Sequence, residues 1–366
     1  MNILISTYQG LEDISIKEIK EITKKQAKID SPSILILKNS TQLDLFKIIY
    51  CSRSINKATI LIDSFNFKTL QDITNKISLI NFKKYVSETF SVSCKRTGNH
   101  DFNSKPVFDS TVKIISNKYN IQANYKNPNT TIVINIINDK CYISIDLLNI
   151  ELNKRKYKVK TSYLDINSCL AFSLLKIAEF NNKKKLLDPF CGNSSIVIEA
   201  ALLSSRTPNL HNNNKIPKNI ITQLNKTIKK IKTINIFGLD SKYINVKNSR
   251  INSKVAQISN LIDFQNYDLE WIDTKFKQNS IDLIVTNPPI ITKRNEKDIV
   301  NLYKQLFYQA SYILSKKGNI TLITTNPEAI INIAQEYSFI AQEKRKVLIG
   351  NLNYEILKLK CNLKKS

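Results

Sequence analysis

The chain lacks any apolar run of the roughly 18 residues that a membrane span requires, and its start, Met1 to Lys25, is polar and carries acids, unlike a secretory leader. A membrane-spanning protein is therefore not expected, and a cytoplasmic one is. Histidine is nearly missing: His100 and His211 are the only two, and the six cysteines (Cys51, Cys94, Cys141, Cys169, Cys191, Cys361) form no Cys-x-x-Cys pair. Neither a disulfide framework nor zinc spacing can be read from them, so isolated buried thiols and no metal are expected. Acids are also short, with 30 Asp and Glu against 55 Lys and Arg, leaving a formal charge of +25. Such an excess suits a polyanionic partner, since basic side chains that neutralise phosphates release counterions. Lys, Asn and Ile are abundant together, however, which AT-rich coding would impose on any function.

With 366 residues there is room for two or three domains. One stretch organises them: Asp188-Pro189-Phe190-Cys191-Gly192-Asn193-Ser194-Ser195-Ile196-Val197-Ile198-Glu199-Ala200-Ala201, after the apolar Leu186-Leu187. A buried strand, a tight turn carrying an acid, a Pro and a Gly, and then an apolar helix is a layout that seats a small ligand over the carboxyl edge of a parallel sheet. A second stretch follows, where Ile281-Asp282-Leu283-Ile284-Val285-Thr286 runs into Asn287-Pro288-Pro289-Ile290. Two prolines cannot continue a ladder, so the backbone must leave the sheet there with the Asn amide facing the crevice. An amide oxygen and a free carbonyl can both accept hydrogen bonds from one amine.

Along the first half, apolar periodicity predicts strands at Asn2 to Thr7, Ser33 to Lys38, Ala58 to Ile62 and Thr89 to Lys95. Helices are expected over Leu11 to Ile22, Gln42 to Ser52, Leu70 to Leu79 and Val107 to Lys118, and a hairpin joins Thr131–Ile137 to Cys141–Asp146 through Asn138-Asp139. The loop from Cys94 to Ser104 brings Arg96, His100 and Phe102, side chains suited to phosphate and to stacking on an unpaired base, or else to an ordinary surface loop. A basic run, Glu151 to Lys160, then leads to an apolar helix at Leu170 to Phe180. Later come strands at Ile234 to Asp240 and Leu261 to Asp268, a helix at Asp298 to Leu314, a strand at Ile320 to Thr324, a helix at Pro327 to Tyr337, and a closing hairpin across Gly350-Asn351. The Asn-rich Pro208 to Lys218 interrupts two helical runs and is assigned no function.

The two central stretches together resemble S-adenosylmethionine-dependent methyltransferases that modify an exocyclic amine of a nucleobase, whose patterns are approximately D-P-(F/M)-C-G-(S/T)-G-(T/S)-(I/L)-x-I-E-A and (D/N)-P-P-(Y/F/W). The start Asn2 to Glu12, the Arg96 to Ser104 loop and the Asp146 to Lys158 segment look like the N-terminal half of THUMP-domain RNA methyltransferases. The likeness is closest to the guanine-N2 enzymes that act on tRNA, with their rRNA-modifying relatives second. The sequence departs from these patterns at Asn149 and Lys156, where glycines are common, at Asn193-Ser194 in place of Ser/Thr-Gly, and at Ile290 in place of an aromatic.

The resemblance implies an α/β protein: an N-terminal ferredoxin-like unit over 1–55, a THUMP RNA-binding domain over 56–150, a linker over 151–165, and a Rossmann-like methyltransferase domain over 166–366 whose mostly parallel sheet ends in an antiparallel hairpin. It further implies that S-adenosyl-L-methionine is held by Asn167, Asp188, Pro189, Phe190, Cys191, Gly192, Asp240, Ser241 and Asp268. Asn287, Pro288 and Pro289 would act on the target amine, and Arg96, His100, Phe102, Lys154 and Arg155 would touch RNA. The expected activity is methyl transfer to N2 of a guanosine in tRNA by a monomer. The alternatives are the same chemistry on large-subunit rRNA, an RNA-binding protein with an impaired methyltransferase domain, and a DNA adenine methyltransferase.

Overall fold

A computed structural model describes residues 1–86, 88–210, 216–226, 228, 235–350 and 352–362. It resolves two compact units, one built mainly from Met1–Thr7 and Ser15–Leu152, the other from Tyr8–Ile14 and most of the chain after Asn153. Ile234, Asn351 and the middle of the Pro208 to Lys218 stretch, His211 included, lie outside the described residues. Among those described, no helix is long and apolar enough to cross a membrane.

The first half runs β1 (Asn2–Ser6), α1 (Glu12–Thr23), β2 (Lys28–Ser31), β3 (Ile34–Leu37), α2 (Gln42–Cys51), β4 (Lys57–Asn66), α3 (Leu70–Leu79), β5 (Thr89–Thr97), α4 (Ser104–Tyr119), β6 (Gln122–Ala123), β7 (Thr130–Ile137) and β8 (Lys140–Asp146). Its strands form one sheet in the order β2-β3-β1-β4-β8-β7-β5-β6. Because β4 pairs with β1 on one side and with β8 on the other, residues before and after position 56 share that sheet. Helix starts follow local chemistry. Thr41 with Asp44 and Thr69 with Asp72 form capping boxes that satisfy the first free N–H groups of α2 and α3. Asn138 turns the β7–β8 hairpin at φ +51°, and Asn149 takes φ +49° where a glycine is common, with its N–H donated to Asp146 Oδ1 at 2.8 Å. Asn tolerates the left-handed region, so that departure leaves the turn intact.

The remaining elements are α5 (Ser168–Ile177), β9 (Leu186–Asp188), α6 (Ser195–Ser204), α7 (Lys218–Asn225), β10 (Ile236–Asp240), α8 (Tyr243–Val255), β11 (Asp263–Asn266), α9 (Ile272–Lys275), β12 (Ile281–Thr286), α10 (Glu296–Ile313), β13 (Leu314–Thr324), α11 (Pro327–Glu336), β14 (Phe339–Ile349) and β15 (Leu352–Cys361). The sheet order is β11-β10-β9-β12-β13-β15-β14, parallel from β11 to β13 and antiparallel for the last two pairings. Alternation splits the core between the two faces of this sheet. Leu186, Leu283 and Val285 pack with α5 and α6, while Leu187 and Ile284 pack with α10 and α11. From β9 the chain steps outward through β10 to β11, then restarts on the other side with β12. The crevice at that reversal, beyond the carboxyl ends of β9 and β12, is where open α/β sheets bind ligands.

The short segment from Tyr8 belongs to this second unit. Leu11 and Ile14 enter the core beside α5 and α6, Leu348 N–H donates to Gln9 O at 3.2 Å, and the Arg345 guanidinium grips both oxygens of Asp13 at 2.5 and 3.3 Å. Gly10 makes the approach possible: it sits at φ +93°, and a Cβ there would lie 2.0 Å from Lys346 O. Backbone cannot yield as a flexible side chain could, so Gly10→Ala is expected to destabilise this unit by about 2 kcal/mol or more. A lowered urea midpoint at unchanged slope would be the readout, and an unchanged midpoint would contradict the contact.

Candidate active site

Asp188, the last residue of β9, is buried at the switch point. Its Oδ1 accepts from Thr286 Oγ1 at 2.6 Å and from the Phe190 N–H at 3.2 Å, so the ends of β9 and β12 are tied by one carboxylate oxygen. Burial is the largest influence on this group and raises its pKa; the two hydrogen bonds oppose it and the nearby Asp240 adds to it, leaving the carboxyl pushed up to about 7.

The turn after β9 offers backbone rather than side chains. Pro189 is buried, the Phe190 ring packs toward the α10–α11 core, and the Cys191 thiol lies in the α5–α6 core, where burial pushes its pKa up. Gly192, at φ +52°, faces open space, with nothing within 4 Å of the position a Cβ would take. Asp240 fixes this turn: Oδ2 accepts from the Gly192 N–H at 3.0 Å, and Oδ1 accepts from the Lys242 N–H at 2.9 Å and Asn245 Nδ2 at 3.0 Å. Ser194 adopts φ +71°, a conformation that favours glycine, and its hydroxyl is tied down by a 2.5 Å bond to Ser249 Oγ, which in turn donates to Gly192 O at 2.7 Å. Helix α8, which periodicity did not reveal, therefore stitches the turn with a polar face. Beside it, Asn193 Oδ1 and Ser195 Oγ are buried without a partner among the described residues.

Where β10 and β11 end, an open cavity of about 390 Å³ is lined by Ser241, Asn266, Tyr267, Asp268, Trp271 and Thr274. It brings together the expected Ser241 and Asp268. Asn266, Tyr267, Trp271 and Thr274 were missed, although the only Trp of the chain so soon after a strand was a signal. Asn167 caps α5, its Oδ1 accepting from Cys169 N–H at 2.8 Å. Two aromatic side chains, an exposed carboxylate and hydroxyls suit a purine nucleoside, and the open backbone at Gly192 suits a ligand's narrow end. The residues fit S-adenosylmethionine.

At the end of β12, Asn287 Nδ2 donates to Leu164 O at 3.3 Å, while its Oδ1 and the carbonyl of the buried Pro288 accept no hydrogen bond from the described residues. The Pro289 carbonyl is taken by Tyr303 OH at 3.3 Å. Among the described residues no group of His, Cys, Asp and Glu is placed to hold a metal ion.

The expected RNA contacts divide. Arg96 Nη1 lies 2.8 Å from Gly98 O and 2.7 Å from His100 Nδ1, His100 Nε2 lies 2.6 Å from Asn138 O, and the His100 ring stacks on Phe67 at 5.7 Å with Phe102 tilted against both. These three side chains hold their own loop together. Lys154 is exposed. Arg155 is a correction: its side chain is only 2% exposed, with Nε 2.8 Å from Oε1 of the fully buried Glu199, to which Tyr157 OH also donates at 3.0 Å. A charge run reads as solvated only until a buried partner of opposite sign is found.

Two tests follow from this geometry. Arg155→Ala leaves the Glu199 carboxylate buried without its cation and is expected to cost about 3–5 kcal/mol in urea unfolding; a loss under about 1 kcal/mol would contradict the pair, since that is what an exposed bridge is worth. For Asp188 the folded pKa lies above the unfolded one, so its contribution is fully present below the ordinary carboxylate range and is lost as pH rises through about 7. Asp188→Asn keeps the acceptor oxygen and removes the titration. Wild-type stability relative to this variant is expected to fall by on the order of 2–3 kcal/mol between pH 5 and pH 8, and a flat difference would contradict the assignment.

Comparison with known proteins agrees with this layout. Residues 155–355 match the model of the RMKL-like methyltransferase domain, and residues 67–146 match the THUMP domain. The chain is 26% identical to the tRNA (guanine(6)-N2)-methyltransferase of Methanocaldococcus jannaschii over 374 residues, covering 96% of this chain and 98% of that one. It is 24% identical to the ribosomal RNA large subunit methyltransferase K/L of Buchnera aphidicola subsp. Schizaphis graminum, covering 99% of this chain but 55% of that protein. Among solved structures, SMU.472 complexed with SAH matches with a TM-score of 0.83 at 18% identity, covering 100% of this chain and 99% of that one, a likeness of fold. With more than half of its length matched by the family's model, the chain belongs to the RMKL-like methyltransferase domain family and carries a THUMP domain ahead of that region.

Proposed function

We propose that the protein transfers a methyl group from S-adenosylmethionine to the exocyclic N2 amine of a guanosine in tRNA, working as a monomer in the cytoplasm. The observation that carries this reading is the Asn287 amide at the switch point, with its nitrogen held by Leu164 O while neither its oxygen nor the carbonyl of the next residue, Pro288, accepts a hydrogen bond from the described residues. Two acceptors from consecutive residues match in number the two N–H groups of an aromatic amine. The lone pair of such an amine is delocalised into the ring, so orientation matters more than a strong base.

The cofactor, when bound, supplies an electrophilic methyl carbon on a sulfonium. Ser241 and Asp268 would hold its adenosine end in the aromatic-walled cavity, and Asn167, Asp188 and the Gly192 backbone its aminoacyl end. Asp240 acts by keeping the turn in shape, since its carboxylate already receives three protein donors. Asn287 Oδ1 and Pro288 O would aim the nitrogen, whose surplus proton leaves to water. Lys154, exposed at the surface, would contribute positive charge toward an RNA backbone, and Arg96 would do so from within its hydrogen-bonded loop.

The end-to-end match with a protein named as a tRNA (guanine(6)-N2)-methyltransferase favours tRNA. A match over 99% of this chain to part of an rRNA enzyme keeps large-subunit rRNA as the second reading. Labelled S-adenosylmethionine, incubated with the protein and total RNA from cells lacking it, should yield N2-methylguanosine in the tRNA fraction. Label in large rRNA would move the conclusion to the second reading, and label in neither would overturn both. Asn287→Ala is expected to lower turnover by about 10²-fold while SAH affinity holds. The single tryptophan, Trp271, is 57% exposed in the cavity wall, so its fluorescence can follow SAH binding directly.

A further inference from the structure

Resting on that base-methylating reading, we infer that Tyr163 is the aromatic face on which the extruded target base stacks. Tyr163 is 95% exposed, more than any other large hydrophobic side chain among the described residues, and Leu164 beside it is 63% exposed. Yet their loop is not loose. Lys158 Nζ donates to Ile166 O at 2.9 Å, Asn193 Nδ2 donates to both oxygens of Asp165 at 2.8 and 3.0 Å, and Asn287 Nδ2 donates to Leu164 O. Within the loop the Ser162 N–H donates to Asp165 Oδ2 at 2.9 Å.

A segment fixed at three points by side chains, with a bare tyrosine at its tip, has its ordering cost met before any ligand arrives. One anchor comes from the turn after β9 and another from Asn287 itself, so the ring stands one residue from the carbonyl that orients the amine acceptor. An enzyme that draws a base from a stack must give its face a new partner. Phe190 is committed to the core, and Ile290, directly after the two prolines, has no π-face.

The test uses the full chain with total tRNA from cells lacking the protein, comparing Tyr163→Ala, Tyr163→Leu and Tyr163→Phe. The Ala and Leu variants are expected to lose about five- to a hundredfold in kcat, the span base stacking is worth, and Phe to stay within about twofold of wild type. Melting temperature and SAH affinity, read from Trp271, should not move in any of the three, which a structural role would not allow. Wild-type kcat in Tyr163→Ala while Asn287→Ala shows its loss of about 10²-fold would overturn the stacking role alone. So would a Phe variant as impaired as Ala, since that would assign the role to the hydroxyl. A wild-type protein that labels no RNA would overturn the methylation reading and this inference with it.

Discussion

Glu199 is fully buried in the helix that follows the Gly192 turn, and leaving its carboxylate unpaired there would cost about 3–5 kcal/mol, a large share of a domain's stability. Arg155 must therefore sit wherever Glu199 sits. That obligation locks the stretch entering the catalytic unit onto α6, and Tyr157, donating to the same oxygen, removes most of the remaining freedom. The pair adds little net stability beyond what an apolar pair of equal volume would give. What it supplies is register, because only one placement of this stretch satisfies it. Everything downstream inherits that register, from Lys158 through the loop at Asp165 to the Asn193 amide in the turn and the Asn287 amide across the crevice.

The motif strands were legible because both faces of a parallel strand are buried, so Leu186-Leu187 and Leu283–Val285 read as unbroken apolar runs, and the Pro and Gly after them mark where the chain leaves the sheet. The hairpins were legible through alternation and through Asn138 at the turn. What escaped was structure built from polar residues. Helix α8 turns Ser249 and Asn252 inward to bond the turn's backbone, so its buried face carries hydroxyls and an amide where periodicity looks for Leu and Ile. The edge strand β2, Lys-Ile-Asp-Ser, is mostly exposed and has no apolar face to alternate. Arg155 was misread for the complementary reason, since charge alone does not say whether its partner is water or a buried acid. Asp240 was placed correctly at a strand end, but its donors come from 48 residues earlier, from Lys242 just before the next helix and from Asn245 in that helix's first turn, contacts that spacing cannot show.

Scarcity of glycine shapes the same site. With six glycines in the chain, twelve non-glycine residues among those described take positive φ, five of them asparagines whose short amides tolerate it (Asn39, Asn120, Asn138, Asn149 and Asn279), and in the turn after β9 the position falls to Ser194. A serine there costs on the order of 1–2 kcal/mol of backbone strain relative to glycine. Its hydroxyl offsets part of this through Ser249, which converts a strained position into a link between the turn and α8. The turn is thereby held by side chains on both flanks, Asp240 on one and Ser249 on the other, and needs no flexibility of its own.

Rigidity of that kind matters for Asn287, the proposed amine acceptor. An Asn side chain presents a donor or an acceptor depending on a half-turn about its terminal bond, and only the acceptor can receive an amine N–H. In Asn287 the choice is made by Leu164 O, because a carbonyl can face the NH2 end and not the oxygen. The loop that displays Tyr163 thus also sets which end of the amide faces the crevice. If the loop withdrew, the bond that aims Oδ1 would be lost together with the ring beside it, so base capture and amine orientation would fail as one event. In the proposed reaction, one hydrogen bond thus serves both the loop that would seat the base and the amide that would aim its amine.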